Sequence, residues 1–154
     1  MLIFADDTGL GLDIAKRVRP SHSSNDPIVP VRLEFPTPGD AEVTRLTPFQ
    51  RRPPGATEVE IQVKTAALNF ADVLRVTGLQ PEAPFGMECA GVVASTGSGV
   101  TALAPGDEVM AIGPGSFASH VTRDARFVQR KPAGLSWQDA ATIPAAFMHW
   151  QAKS

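Results

Sequence analysis

The clearest pattern in the chain covers residues 58–64, where Val59, Ile61 and Val63 alternate with Glu58, Glu60, Gln62 and Lys64. A period of two places the aliphatic side chains on one face and the polar ones on the other, which predicts a half-buried β-strand. Residues 28–34 contain Val-Pro-Val-Arg-Leu-Glu and alternate in the same way. Residues 89–95 form a narrow apolar run with Gly91 inside it, a strand pattern with a bulge or a close approach at the glycine. Residues 2–5, 108–112, 117–121 and 126–129 predict four more short strands, and 47–57 (TPFQRRPPGAT) read as loop or turn.

The period changes in three places. Asn69 stands before residues 70–76 and Gly78 just after them, which predicts a short capped helix. Residues 12–18 allow one or two helical turns ended by Pro20, and 20–27 (PSHSSNDP) form a polar, proline-bounded linker. Ser136 followed by Asp139 opens a third helix, with a break expected at Pro144 and a further helix beginning after it.

Composition narrows the class. The 154 residues are the size of one domain, and 43% hydrophobic with 19% charged residues is ordinary for a soluble globular chain. Fourteen prolines and thirteen glycines between the apolar runs favour many short strands joined by turns, hence a barrel or sandwich. A formal charge of -2 supplies no basic excess for nucleic acid or an anionic membrane. No apolar run approaches the ~20 residues of a membrane span, and no basic region opens a signal peptide. One cysteine, Cys89, permits no internal disulfide and points to a reduced, cytoplasmic protein. Tyrosine is absent, so no phenol is available as an acid.

Several blocks carry a family likeness: AALNFADVLRVTG at 66–78, FGMECAGVVASTG at 85–97, APGDEVMA at 104–111, the GPGSFA turn and strand at 113–118, and SWQDAATIPAAF at 136–147. Together they resemble the substrate-side domain of the medium-chain dehydrogenase/reductase superfamily. They are most similar to its zinc-free members, the quinone oxidoreductases and the enoylreductase domains of polyketide synthases. Zinc-dependent members have Gly-His-Glu where this chain has Gly86-Met87-Glu88. A catalytic zinc needs about three protein ligands in a tight constellation, and the scattered His22, His120 and His149 with Cys89 do not suggest one. Met87 and Cys89 therefore read as packing residues.

The resemblance implies a mainly β, GroES-like barrel with short helices over residues 28–135. Residues 1–19 resemble the start of a ketoreductase structural subdomain, a pseudo-Rossmann strand–turn–helix remnant, with 20–27 as linker and 136–154 as the truncated start of a nucleotide-binding domain. Gly9-Leu-Gly11 is a degraded form of a dinucleotide loop, since Ile14 stands where the third glycine belongs.

The implied activity is NADPH-dependent reduction of an enoyl thioester tethered to an acyl carrier protein. Asn69 is the candidate cofactor contact, beside the nicotinamide, although the same residue serves as a helix cap. No catalytic residue is identified: the tyrosine that such enoylreductases often carry after this helix falls at Gln80. The nucleotide-binding domain, supplied in cis or in trans, is the implied partner, and the chain alone is expected to be inactive. A piece of a stand-alone quinone oxidoreductase-like enzyme and a non-catalytic GroES-like binding module are the rival readings, since fold alone does not decide function.

Overall fold

Residues 3–5, 29–34, 45–82 and 85–146 are described by the structure, a computed structural model. The strands are β1 (Ile3–Ala5), β2 (Val31–Glu34), β3 (Arg45–Pro48), β4 (Glu58–Ala67), β5 (Glu88–Thr96), β6 (Glu108–Ile112), β7 (His120–Asp124) and β8 (Val128–Arg130). Among the described residues, the short helices α1 (Phe70–Val76) and α2 (Trp137–Ala141) join them, with a 3₁₀ turn at Ala125–Phe127 and a helical turn over 143–146. The helix expected over 12–18, the linker, Gly9–Gly11, His22, His149 and residues 147–154 lie outside the described residues.

β4 is the spine. It pairs antiparallel with β5 along one edge. On the other edge β7 takes residues 58–62 and β1 runs parallel to residues 65–67. β6 and β8 continue the sheet beyond β5, and β2 with β3 forms a separate two-stranded sheet. That small sheet leans on the large one, where the Leu33 N–H donates to the Phe117 carbonyl at 2.8 Å and the Ser119 N–H to the Val31 carbonyl at 2.7 Å. The result is the mainly β, barrel-like fold with short helices that the sequence predicts.

The aliphatic face of β4 is realised, with Val59 and Ile61 fully buried and Val63 nearly so, while Glu60, expected on the polar face, is itself buried and paired with Arg51. Burying each aliphatic side chain is worth about 1.5–3 kcal/mol. They meet Leu33, Cys89, Val93, Val109, Phe117 and Val121 in the main core. The alternation fails past Lys64, where Thr65, Ala66 and Ala67 are all buried. A register shift between Val63 and Thr65 marks a bulge at Lys64, and the far face is covered as Ala67 and Ala90 pack against Ala140 and Ala141 of α2. Gly91 lies opposite Val63, and a Cβ there would run into the Gln62 carbonyl, so the close approach requires glycine.

Four expectations are corrected. The 47–57 loop begins two residues later, because Thr47 and Pro48 belong to β3; Pro48 is its last residue, at an end where its missing N–H costs little. The strand expected at 117–121 splits, with 117–119 held to β2 and β7 starting only at His120. The strand expected at 126–129 starts at Val128, because Asp124 accepts the Arg126 N–H and winds Ala125–Phe127 into a 3₁₀ turn. The final helix breaks at Thr142 instead of Pro144, which lies within the next helical turn over 143–146. Proline is tolerated in a first turn, where a missing N–H loses no intrahelical bond.

Candidate functional site

β4 delivers the chain to Asn69, which starts α1 as predicted, with Gly78 at φ +81 just beyond the helix. Asn69 and Asp72 form the capping pair of α1, and Asp72 Oδ2 accepts the Asn69 N–H at 2.7 Å. Asp72 is fully buried. Its Oδ1 accepts the Gly86 N–H at 2.9 Å and a guanidinium N–H of Arg75 at 3.2 Å. One carboxylate thus holds the helix start, the helix interior and the segment leading into β5.

That segment carries Met87 and Glu88. Gly86 has φ +78, and a Cβ on it would press on the Phe117 backbone nitrogen at 2.8 Å. Met87 Sδ lies 3.7 Å from an Arg75 guanidinium nitrogen. Glu88 is 3% exposed and uses both oxygens. Oε1 accepts from Asn69 Nδ2 at 3.0 Å, and Oε2 accepts the Ala145 N–H at 2.7 Å. Burial pushes the Glu88 carboxyl above its usual range and nearby Asp72 adds to this, while the two accepted hydrogen bonds oppose it.

Asn69 is half-buried, next to Phe70, which is 75% exposed. Leu79, beyond the helix, is 73% exposed, and the neighbouring Gln80 is exposed as well. Exposed apolar side chains thus stand at the start of α1 and just beyond its end, while the Asn69 amide nitrogen is turned to Glu88.

Cys89 is fully buried in β5, and burial drives its thiol up to about 11, so it is neither a nucleophile nor a ligand at neutral pH. Arg123 spans from β7 to the 113–116 turn, donating to the carbonyls of Gly113 and Pro114 at 2.9 and 2.7 Å. His120 sits on β7, paired with Gln62 of β4, and burial lowers its pKa. No group of three or more His, Cys, Asp or Glu among the described residues is placed to hold a metal ion.

Sequence reading singled out Asn69 and assigned Glu88 no role of its own. A lone acid inside the apolar run FGMECAGVVA is the signal that would have found it, since such a charge is buried only with partners. Ala145, the other half of the arrangement, carries no side-chain signal at all.

The sheet order, the capped α1 and the GPGSFA turn define a GroES-like barrel domain of the kind found in medium-chain dehydrogenases and reductases. The alcohol dehydrogenase GroES-like domain family matches residues 55–149, and the chain belongs to it. It is 46% identical over 112 residues to the pikromycin polyketide synthase component PikAII of Streptomyces venezuelae, covering 72% of this chain and 3% of that protein. It is 40% identical over 124 residues to a mycocerosic acid synthase-like polyketide synthase of Mycobacterium tuberculosis, covering 75% of this chain and 6% of that one. Among solved structures, the CurK enoyl reductase superposes with a TM-score of 0.75 at 33% identity, covering 79% of this chain and 41% of that chain. The Escherichia coli quinone oxidoreductase complexed with NADPH gives 0.68 at 30% identity, covering 73% and 36%. The chain therefore spans a small share of the curated relatives and under half of either solved structure.

Proposed function

We propose that the chain is the substrate-side domain of an NADPH-dependent enoyl-thioester reductase of a polyketide synthase, working without zinc. The observation that carries this reading is the cap of α1: a half-buried Asn69 tied to buried Glu88 and Asp72, in a chain whose relatives include polyketide synthases and the CurK enoyl reductase. Asn69 and exposed Phe70 fit an aromatic carboxamide such as nicotinamide, the amide offering hydrogen bonds and the ring a flat apolar face.

Bound there, NADPH supplies the hydride that reduces the enoyl β-carbon. The chain's own residues position the reactants: Asn69 and Phe70 orient the cofactor, and Leu79 offers an apolar side chain to the acyl group. No group of this chain is assigned as proton donor to the α-carbon, since Gln80 is no acid. The partner domain or solvent supplies that proton, and the nucleotide-binding domain supplies the pyrophosphate site at a helix N-terminus. The substrate reaches the site tethered to an acyl carrier protein.

Met87 supports the zinc-free assignment. A thioether replaces the imidazole of zinc-dependent members, and the Arg75 guanidinium lies against its sulfur, a positive charge that would disfavour a metal cation nearby.

The test grafts residues 1–146 onto the nucleotide-binding domain of a polyketide-synthase enoyl reductase and follows NADPH oxidation with crotonyl thioester. Turnover that survives a chelator, and is lost in Asn69→Ala with the fold intact, is the expected result. The 154-residue chain alone is expected to give none. Zinc-dependent turnover, or a folded chimera that ignores Asn69, would overturn the assignment. The likeness to the NADPH-bound quinone oxidoreductase makes a quinone the second acceptor to assay.

A further inference from the structure

Glu88 is a carboxylate in a strand whose neighbours, Cys89 and Ala90, are fully buried and apolar. An isolated charge in such surroundings is costly, and this one forms no ion pair among those resolved for the described residues. Its two oxygens are spent instead on two donors from distant parts of the chain: a side-chain amide 19 positions before it and a backbone N–H 57 positions after it. The backbone N–H cannot reverse its polarity. The Asn69 amide can, by a half-turn about its last torsion, so what faces it decides which end points where: Glu88 on the nitrogen side, and the Asp72 N–H of the capping box on the oxygen side.

We infer that Glu88 is the positioning residue of the site: its carboxylate, able only to accept, fixes Asn69 with Nδ2 inward and Oδ1 turned away from Glu88, and ties that orientation to the helical turn over 143–146. The importance of this orientation for a cofactor rests on the function proposed above; the orientation itself does not.

The chemistry follows from the inventory of donors and acceptors. Replacing Glu88 with Gln keeps one oxygen, which the fixed Ala145 N–H claims. The new NH₂ then faces Asn69, and two donors cannot share a hydrogen bond, so the Asn69 amide gives up this contact or turns over at the expense of the Asp72 N–H that its oxygen accepts in the capping box. Proton uptake by Glu88 has the same sense, converting one acceptor into a donor. The charged groups around Glu88 are Asp72 on α1, which favours the proton, and Arg75, which is paired to Asp72; Cys89 beside it on β5 is neutral at ordinary pH.

The experiment uses the ¹⁵N-labelled chain and reads two signals by NMR: the Asn69 side-chain NH₂ and the Ala145 backbone amide. In the native sequence both are expected to shift together with one midpoint, above the ordinary glutamate range. In Glu88→Gln neither titrates, Ala145 keeps its hydrogen-bonded position, and the Asn69 NH₂ loses its carboxylate-bonded shift. Glu88→Ala moves both signals; should it fail to fold, the native titration and the near-isosteric Gln variant still decide. An Asn69 NH₂ that ignores both the titration and the Gln substitution overturns the inference. Binding of NADPH to the chimeric reductase then reports on function separately. Coupled NMR signals with unchanged cofactor affinity in Glu88→Gln uphold the positioning role and count against Asn69 as a cofactor contact.

Discussion

Asp72 shows how much one side chain can hold. Its buried carboxylate accepts from Asn69, Arg75 and Gly86, so it fixes the helix start and the loop before β5 at once. Asp72→Ala leaves the nearly buried Arg75 guanidinium without its carboxylate, a loss of about 3–5 kcal/mol for a broken buried pair. Urea unfolding of the variant should show that loss as a lower midpoint, with Asn69 losing its order. Asn69 was readable from sequence because capping is local: the polar residue, the acid three positions on and the later glycine all lie within one short stretch. Glu88 was not, because its partners lie 19 and 57 positions away and one of them is a backbone atom.

Elements whose limits are set by local chemistry stand where the pattern puts them. β6 and α1 have the predicted bounds, and α2 begins at the predicted cap, where Ser136 Oγ accepts the Asp139 N–H at 3.1 Å. Removing that cap in Ser136→Ala should cost about 1 kcal/mol, read as a lower melting temperature. It should also loosen the Ala67, Ala90, Ala140 and Ala141 contact, where small side chains let the helix lie close to the sheet. Elements whose limits depend on distant pairing were displaced. β3 exists because β2 lies alongside it, and 117–119 turn to β2 although their composition suits the ladder with β4. The bulge at Lys64 was equally hidden, since a sequence period reports which face a residue takes only while the register holds.

Over the whole molecule the carboxyls divide into two groups with opposite effects on stability. Hydrogen bonds from Arg52 and Arg126 hold Glu58 and Asp124 at about 2, and Arg51 lowers Glu60. For these the unfolded chain binds protons more readily, so their contribution is present above the usual carboxylate value of about 4 and is lost as pH falls towards 2. Glu58 and Asp124 lie in solvent, so each contributes little. Glu88 runs the other way: its raised pKa gives a stability contribution that is present below the unfolded value and declines as pH rises through the folded one. Thermal melts against pH should therefore fall modestly at the acid end, chiefly through Glu60, which is nearly buried beside Arg51. Glu88→Gln should remove a shallow decline just above the ordinary glutamate range and leave the acid limb in place. The barrel was legible as a whole, since alternation, turn residues and family blocks agree along most of the described chain. One pairing was not: β1, read only as a strand beginning the chain, lies parallel to residues 65–67 on the edge of β4 that β7 leaves free. An uncovered row of backbone N–H and C=O groups is a template for another chain's strand. A shorter protein beginning at residue 28 would carry that open template on an alanine-rich stretch with no charge to guard it. Light scattering should find it self-associating with rising concentration while the longer chain stays disperse, which makes β1 a guard against aggregation.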